Sequence, residues 1–205
     1  MNARQLHPGR RTPKARRHDR RHATATLVLG TVVGAITTML VQAGVVPLPT
    51  GWPSGRAFVG EAVIYVALFD AYFYGLHRLL HTRVLYRTIH AVHHRSTAPT
   101  VVTALAFHPL EALLVFGFMP VAMWLLPIHL ASLAAVSVFL SGSILLAHCG
   151  FEVFPSWWDR VPVLNWYVTP RVHDAHHGRR DCNYSATISL FDRVFGTLHA
   201  DVTVR

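Results

Sequence analysis

The chain has 205 residues, of which 52% are apolar and 14% are charged, and it carries a formal net charge of +9. Its length predicts a single domain, and its mean hydropathy of +0.33 is unusual for a soluble protein. Its two cysteines, Cys149 and Cys182, are too few for a disulfide framework. The composition therefore favours a membrane protein.

The amino-terminal part is strongly basic and is followed by an uncharged apolar stretch. Eight of the 19 Lys and Arg residues lie within the first 22 positions, and no further charged residue occurs before Arg56. Residues 24–46 are long enough to cross a bilayer, which takes about 20 apolar residues. The alternatives are a secretory signal cleaved near residues 41–43 and, for the basic start, a nucleic-acid-binding arm. The adjoining apolar run favours a basic cytoplasmic tail over residues 1–22 and one membrane domain over residues 23–205, with no nucleic-acid partner.

Two more apolar stretches follow. Residues 57–80 form the second predicted span, and residues 112–147 contain no charged side chain. As one helix the latter would be about 54 Å long at 1.5 Å per residue, well beyond a hydrocarbon core of about 30 Å. We interpret it as two spans that meet in a tight turn near Pro127 and His129, the first reaching back to about Val101. The predicted fold is all-α, with about four transmembrane helices.

The distribution of basic residues predicts the orientation. With a cytoplasmic amino terminus, residues 47–56 and the turn at Pro127 face outward, and only Arg56 of the 19 Lys and Arg residues lies on that side. Cytoplasmic loops accumulate Lys and Arg. Both termini and the histidine-rich segments are therefore expected on the cytoplasmic side, in a helical cap.

Histidine is the most informative residue type in this chain. Of fifteen histidines, His7, His18 and His22 are expected to be solvated in the basic tail. Nine others lie at or near the predicted cytoplasmic ends of the spans: His77, His81, His90, His93, His94, His148, His173, His176 and His177. Two HxxHH triples and one HxxxH pair place their rings on common helix faces, so the three rings of a triple are expected to converge. Neutral imidazole binds iron, zinc, copper and nickel, and one structural zinc takes four ligands, so nine histidines indicate two metal ions.

A haem site, a zinc protease and a metal transporter each fit these histidines less well. A haem in a helical bundle takes single axial histidines, which leaves the triples unused, and the HExxH signature of a zinc protease is absent from the sequence. A membrane metal transporter would place ligands along a path at mid-membrane, whereas these are predicted at one end of the spans. A catalytically inactive relative that holds zinc is a further alternative.

Four segments between Asp70 and Leu198 form an ordered set of motifs: DAYFYGLHRLLH, LYRTIHAVHH, FHPLEALL and TPRVHDAHHGRRDCNYSATISLFDRVFGT. In order and spacing they closely resemble the fatty acid hydroxylase / sterol desaturase superfamily of integral membrane oxygenases. The resemblance implies an O2-dependent, non-haem di-iron enzyme that hydroxylates or desaturates an apolar lipid, such as a sterol-like ring, a fatty acyl chain or a carotenoid. It also implies that the nine histidines are the iron ligands, with zinc as a substitute metal.

The chemistry implied by this resemblance requires an electron source. The sequence contains neither a Rossmann glycine fingerprint nor a haem-attachment motif. Electrons are therefore expected from a partner such as a ferredoxin, a cytochrome b5-like protein or a reductase. The arginine-rich cytoplasmic face fits an acidic partner, and it fits a role in topology and anionic lipid binding equally well.

Asp70 is the first of three carboxylates that are candidates for supporting the site. It lies two helical turns before His77, inside a predicted span, where a carboxylate is costly and usually functional. It either orients a ligand ring through the free imidazole N–H or pairs with Arg78.

Glu111 and Glu152 are the other two candidate carboxylates. Glu111 either accepts a hydrogen bond from a histidine of the site or belongs to the start of the third span. Glu152 stands where many members of the superfamily have a second histidine, four residues after the equivalent of His148. It is therefore a ligand, a support for a ligand, or neither. A second departure is Ser185, where the family usually has glycine after Asn-Tyr.

Overall fold

The computed structural model describes residues 4–6 and 12–199 and is predominantly helical. Its α-helices are α1 (Pro13–Gln42), α2 (Gly55–Leu80), α3 (Arg83–Thr88), α4 (Pro109–Leu125), α5 (Leu130–Ala147), α6 (Pro170–Arg179) and α7 (Leu190–Val194). A two-residue strand β1 (Arg4–Gln5) pairs antiparallel with β2 (Phe151–Glu152). Short 3-10 helices cover His90–Arg95, Thr103–Leu105, Trp158–Arg160 and Leu164–Trp166. The all-α prediction is therefore confirmed.

Among the described residues, three helices are long and apolar enough to cross a membrane, namely α1, α2 and α5. The remaining apolar helix of the bundle, α4, has 17 residues and contains Pro120. Three of the roughly four predicted spans are thus present at full length, and α4 is a shorter apolar helix.

The first helix begins earlier than the apolar pattern suggested. Thr12 caps its amino terminus, with Oγ1 accepting a hydrogen bond from the Ala15 N–H at 3.2 Å, and Pro13 occupies the first turn. Both features favour a helix start, so residues 13–22 of the predicted tail continue directly into the span. The other tail residues 1–3 and 7–11, which include His7, lie outside the described part of the chain.

The prediction that His18 and His22 are solvated is wrong. Both are partly buried, and their ring centroids lie 4.5 Å apart. Nε2 of His18 donates a hydrogen bond to the Val92 carbonyl oxygen at 3.1 Å. The amino-terminal end of α1 therefore packs on the segment that follows α3.

The predicted turn between α4 and α5 is confirmed at residues 126–129. Glu61 of α2 fixes this turn, because its carboxylate accepts hydrogen bonds from the His129 N–H at 3.2 Å and from Nδ1 of His129 at 2.6 Å. The Tyr65 hydroxyl donates to the Leu126 carbonyl. Since Glu61 lies near the start of α2 and His77 near its end, the turn is at the opposite end of the bundle from the histidines.

The prediction that the third span reaches back to about Val101 is wrong. Thr103–Leu105 form a 3-10 helix, and α4 begins only at Pro109. His108 caps α4, with Nδ1 accepting a hydrogen bond from the Leu110 N–H at 3.2 Å. Proline suits the first turn of a helix, whereas the residue before it avoids the helical conformation, so the helix starts here.

Three helices of the bundle pack around one apolar core. Most of its buried side chains come from α2, α4 and α5, among them Tyr65, Phe69, Met123, Val136 and Leu140. The outer faces expose other large apolar side chains, among them Leu27, Val32, Ile36, Val63 and Val138. Exposed apolar surface of this extent is typical of a face that contacts a partner or a membrane, which agrees with the predicted spans.

The predicted histidine-rich cap forms at the end of the bundle where α2 and α5 finish. α3, the 3-10 helix His90–Arg95 and α6 lie there. The carboxyl-terminal segment closes the cap, because Asp192 accepts hydrogen bonds from the N–H groups of Tyr184 at 2.8 Å and Ser185 at 2.9 Å. Nδ2 of Asn183 donates to the Val172 carbonyl at 3.1 Å. These contacts fix the backbone beside the histidines.

Candidate metal centre

The nine predicted histidines gather into two adjoining clusters. The five-histidine cage contains His77, His81, His90, His94 and His176, and the four-histidine cage contains His93, His148, His173 and His177. Within each cage the candidate ligand atoms lie within 4.8 Å of one another. The ring centroids of His94 and His177, which belong to different cages, are only 4.6 Å apart. The structure therefore brings all nine residues together.

Each HxxHH triple is divided between the two cages, so the prediction that its three rings converge is wrong. His90 and His94 belong to the five-histidine cage, and His93 belongs to the four-histidine cage. In the second triple, His173 and His177 belong to the four-histidine cage, and His176 belongs to the five-histidine cage. Adjacent side chains point about 100° apart around an α-helix and about 120° apart around a 3-10 helix, which agrees with the adjacent histidines of each triple facing different cages. Both cages are thereby tied to the same two segments.

Backbone carbonyls orient two of the rings in the five-histidine cage. Nδ1 of His77 donates to the Tyr184 carbonyl at 2.8 Å, and Nδ1 of His176 donates to the Cys182 carbonyl at 2.7 Å. Because a carbonyl oxygen only accepts, Nδ1 carries the proton and Nε2 presents a lone pair. The tautomer of each ring is thus set from behind, as is usual for metal-binding histidines.

His148 and His90 are oriented in the same way. His148 directly follows α5 and donates from Nδ1 to the Ile144 carbonyl at 2.8 Å. Nδ1 of His90 lies 2.7 Å from Oε1 of Glu111 and donates to it. Nε2 of each ring is therefore the atom that faces its cage.

Two unprotonated ring nitrogens in the five-histidine cage lie so close together that their lone pairs repel each other. Nε2 of His77 and Nε2 of His90 are 3.1 Å apart, and both rings carry their proton on Nδ1, so no proton is left between them. A cation removes this repulsion. Two nitrogens that each lie about 2.0–2.1 Å from one metal ion, at right angles, are about 3 Å apart. The spacing therefore fits a shared metal ion.

Three more pairs of ring nitrogens agree with this fit. Nε2 of His148 lies 2.9 Å from Nε2 of His173 and 3.3 Å from Nε2 of His93 in the four-histidine cage. Nε2 of His94 and Nε2 of His176 are 3.0 Å apart in the five-histidine cage. The imidazole nitrogens that line both cages are suitable ligands for iron or zinc.

Burial keeps these rings neutral. His81 is partly exposed, and the other eight are buried. Desolvation lowers the pKa of His81 to about 3 and the pKa of His148 to about 4. Desolvation also lowers the pKa of six further histidines well below the usual range, namely His90, His93, His94, His173, His176 and His177. Since a histidine must be neutral to bind a metal, the cages are already in their ligating form at neutral pH.

Asp70 is engaged with the carboxyl-terminal segment and belongs to neither cage. Its Oδ1 accepts a hydrogen bond from the Thr187 N–H at 3.0 Å. Its Oδ2 accepts from the Thr187 hydroxyl at 2.6 Å and from the Ile188 N–H at 3.1 Å. The sequence predicts that Asp70 contacts either a histidine ring or Arg78, and the structure gives it Thr187 and Ile188 instead. Asp70 therefore fastens the segment before α7 to α2.

The two other candidate carboxylates differ in position. Glu111 is buried in the first turn of α4 and holds the His90 ring, as one predicted alternative stated. Glu152 lies in neither cage, since Oε1 accepts from the Phe154 N–H at 2.9 Å and Oε2 accepts from the Arg171 N–H at 3.1 Å. Glu152 therefore stabilises the start of α6.

Sequence reasoning missed the backbone groups that orient the rings. The carbonyls of Cys182 and Tyr184 flank Asn183, which has a φ of 58°. This left-handed conformation is uncommon outside glycine but is tolerated by asparagine, and it separates the directions of the two flanking carbonyls. The signal available in the sequence was Asn183 itself, because asparagine is one of the residues that tolerate this backbone conformation.

An apolar cavity of about 400 Å³ lies between α2, α5 and the start of α7. Its lining is almost entirely apolar and includes Val66, Phe139, Ile188 and Phe191. Asp70 also lines it and lies two helical turns before His77 on α2. The cavity therefore occupies the membrane-spanning part of the bundle, on the histidine side of the α4–α5 turn.

Comparison with known proteins identifies relatives of this chain. A family model described as fatty acid hydroxylase matches residues 62–197. Very-long-chain aldehyde decarbonylase GL1-1 of Oryza sativa subsp. indica is 34% identical over 161 residues, which cover 71% of this chain and 24% of that protein. Methylsterol monooxygenase 2-2 of Arabidopsis thaliana is 33% identical over 148 residues, covering 71% and 54%. Methylsterol monooxygenase 1 of Rattus norvegicus is 34% identical over 128 residues, covering 62% and 43%.

The chain spans between about a quarter and about half of the length of these relatives. No solved structure matches it. The region matched by the family model covers about two thirds of the chain and contains all nine histidines of the two cages. This chain therefore belongs to the fatty acid hydroxylase family.

Proposed function

We propose that this chain is a membrane-bound, non-haem di-iron oxygenase that uses O2 to hydroxylate or desaturate an apolar lipid. The observation that carries the proposal is the pair of adjoining cages, which share two chain segments and hold nine imidazoles. Irons bound there would supply the redox chemistry that oxidises an unactivated C–H bond with dioxygen and two electrons.

The histidines would hold one iron in each cage, and these irons would supply the redox chemistry. Burial of the histidines excludes water from the rings and keeps them neutral. Glu111 holds the His90 ring, and the carbonyls behind His77 and His176 fix the tautomers of those rings.

The proposed substrate is an apolar lipid that enters from the bilayer. The cavity beside α2 has a volume of about 400 Å³, which is within the usual range for small-molecule sites. Its apolar lining favours a hydrocarbon over a polar metabolite. The names of the relatives refer to a methylsterol and a very-long-chain aldehyde, and a sterol-like ring, a fatty acyl chain and a carotenoid all fit this chemistry.

The proposed electron donor is a separate protein, such as a ferredoxin, a cytochrome b5-like protein or a reductase. Five exposed arginines lie on the cap, namely Arg83, Arg87, Arg95, Arg179 and Arg180. A basic surface attracts an acidic partner and speeds its association. We place this cap and both termini on the cytoplasmic side because basic residues collect there.

Lipid profiling tests the proposal directly. A host that expresses this chain is compared with one that expresses the His93→Ala variant, with His129→Ala as a control histidine at the other end of the bundle. We expect one lipid to gain the mass of one oxygen, or to lose that of two hydrogens, with the wild-type chain and with the control. Identical lipid profiles for the wild-type chain and His93→Ala would contradict the proposal.

A metal transporter and an inactive zinc-holding relative are the alternatives. The cages lie at the ends of the helices and are buried, which argues against a metal path at mid-membrane. Metal analysis combined with oxygen uptake separates the three functions. Two tightly held irons and oxygen consumption that requires both lipid and reductant support the enzyme. Metal that crosses a liposome membrane supports a transporter, and bound zinc without oxygen uptake supports the inactive relative.

A further inference from the structure

α1 contacts the first histidine triple through a buried carboxylate. Asp19 is 1% exposed, and its Oδ2 accepts hydrogen bonds from the Ser96 hydroxyl at 2.8 Å and from the Thr103 hydroxyl at 3.3 Å. Ser96 follows His94 by two residues. α1 lies wholly outside residues 62–197, the region matched by the family model. The contact therefore comes from a part of the chain that the family match does not include.

Two histidines of α1 extend this contact. His18 donates to the carbonyl of Val92 at 3.1 Å, directly before His93. His22 lies close to the backbone of Phe107, and the Phe107 ring packs against the His93 ring with centroids 5.0 Å apart. α1 therefore contacts this part of the chain within the triple, at Val92, and after it, at Ser96.

The segment that α1 holds has little regular structure of its own. α3 ends at Thr88, Ile89 has a φ of −122°, and the triple lies in a 3-10 helix of six residues. A 3-10 helix has poorer hydrogen-bond geometry than an α-helix, so the segment depends on outside contacts for its position. Because its histidines serve both cages, a small displacement of the segment disturbs both.

We propose that Asp19 is a positioning residue for the metal centre, through which α1 holds His93 and His94 in register with their separate cages. This inference rests on the proposed function, in which those histidines are metal ligands. A buried carboxylate is costly unless its oxygens are hydrogen-bonded, and hydrogen bonds to a charged acceptor are roughly twice as strong as neutral ones. Replacing Asp19 by asparagine keeps the side-chain shape and weakens these bonds, so the segment loosens without a cavity.

The test uses the full-length chain, purified in detergent, stripped of metal and titrated with Co²⁺. The visible absorption of bound cobalt depends on the arrangement of its ligands. We expect Asp19→Asn to weaken cobalt binding by about tenfold or more, as is typical when a group that supports a ligand is lost, and to change the spectrum. Ser96→Ala should act in the same direction by a smaller factor, because the hydrogen bond from the Thr103 hydroxyl to Asp19 is retained.

Glu61→Gln is the matched control. It also alters a carboxylate that ties a long helix to another element, since Glu61 accepts hydrogen bonds from His129 at 3.2 and 2.6 Å, but it does so at the opposite end of the bundle. We expect this variant to lower the thermal unfolding temperature while leaving the cobalt spectrum unchanged.

Three outcomes would overturn the positioning role. The first is that the wild-type chain binds two cobalt ions, and that Asp19→Asn and Ser96→Ala bind cobalt with the same affinity and the same spectrum as the wild-type chain. In that case the proposed function stands and only the positioning role is lost. The second is an Asp19→Asn variant that behaves as the control does, less stable but with the wild-type spectrum. The third, a wild-type chain that binds no cobalt, overturns the proposed function as well. If Asp19→Asn does not fold, Ser96→Ala and Thr103→Ala decide the question.

Discussion

His93 and His94 are neighbours in the chain, yet their rings belong to different cages. Their ring centroids are 5.7 Å apart and their planes are nearly perpendicular, at 86°. Because adjacent residues of a 3-10 helix point about 120° apart, one short segment contributes to both cages. Substitutions within this pair should therefore have separable effects on metal content.

Histidine substitutions that leave a cage with only three imidazoles are expected to empty that cage. His93→Ala should lower the metal content from about two ions per chain to about one, because its cage then has only three imidazoles and a closed tetrahedral site takes four ligands. His90→Ala combined with His176→Ala should do the same for the five-histidine cage, which then also has three imidazoles. Elemental analysis of the purified chain gives the stoichiometry.

Combined substitutions provide the control for this prediction. His93→Ala combined with His148→Ala affects one cage only, whereas His93→Ala combined with His90→Ala and His176→Ala leaves three imidazoles in each cage. We expect about one ion per chain in the first variant and about none in the second. Equal metal content in the two would show that the cages are not independent sites.

Glu111→Ala is expected to weaken metal binding in the five-histidine cage by about 10- to 100-fold, the usual effect of losing a group that supports a ligand. The reason is that Oε1 of Glu111 accepts a hydrogen bond from Nδ1 of His90 at 2.7 Å and so fixes the tautomer of the ring. Competition with a chelator measures the affinity. Glu111→Gln, which keeps an acceptor oxygen, should lose less, and equal losses in the two variants would argue against the hydrogen bond as the cause.

Glu152→Ala is expected to leave the metal content unchanged and to lower the stability of the fold. Its carboxylate accepts hydrogen bonds from the N–H groups of Phe154 and Arg171, and a hydrogen bond to a charged group contributes about 1.5–3 kcal/mol. Thermal unfolding and elemental analysis, measured on the same preparation, test both parts. Loss of one metal ion in this variant would restore Glu152 as a ligand.

Filling the apolar cavity is expected to reduce substrate conversion without loss of metal. Val66 lines the cavity, so Val66→Trp would occupy space that a lipid needs. Val59 lies on the same helix and is 60% exposed, which makes Val59→Trp a matched control. Product formation and metal content are measured together, and equal product formation in the two variants would exclude the cavity as the substrate site.

A reporter fused to the carboxyl terminus is expected to be found on the cytoplasmic side. The reason is that Arg56 is the sole Lys or Arg among the 19 that the predicted topology places on the other side, and cytoplasmic loops collect these residues. Paired enzymatic reporters that are active on opposite sides of the membrane give the readout. Activity of the external reporter would invert the topology and move the metal centre outside.

The sequence by itself determined the helical class, the turn near Pro127 and the identity of the nine clustered histidines. These features are local, because apolar run length and the positions of proline and histidine can be counted along the chain. The same local reasoning also set limits. It placed the start of α1 too late, since an N-cap signal at Thr12 was hidden within a run of basic residues.

Only the tertiary structure decided how the histidines divide between the cages and what supports them. The partners that mattered are far apart in sequence: His77 with the Tyr184 carbonyl, and Asp19 with Ser96. Residue spacing reports which side chains share a face of one helix, but it does not report which face meets which other segment. That choice is made by packing of the whole bundle. It gave Asp70 the backbone of Thr187 and Ile188 in place of a histidine ring or Arg78, and it gave Glu152 backbone partners in place of a metal ion.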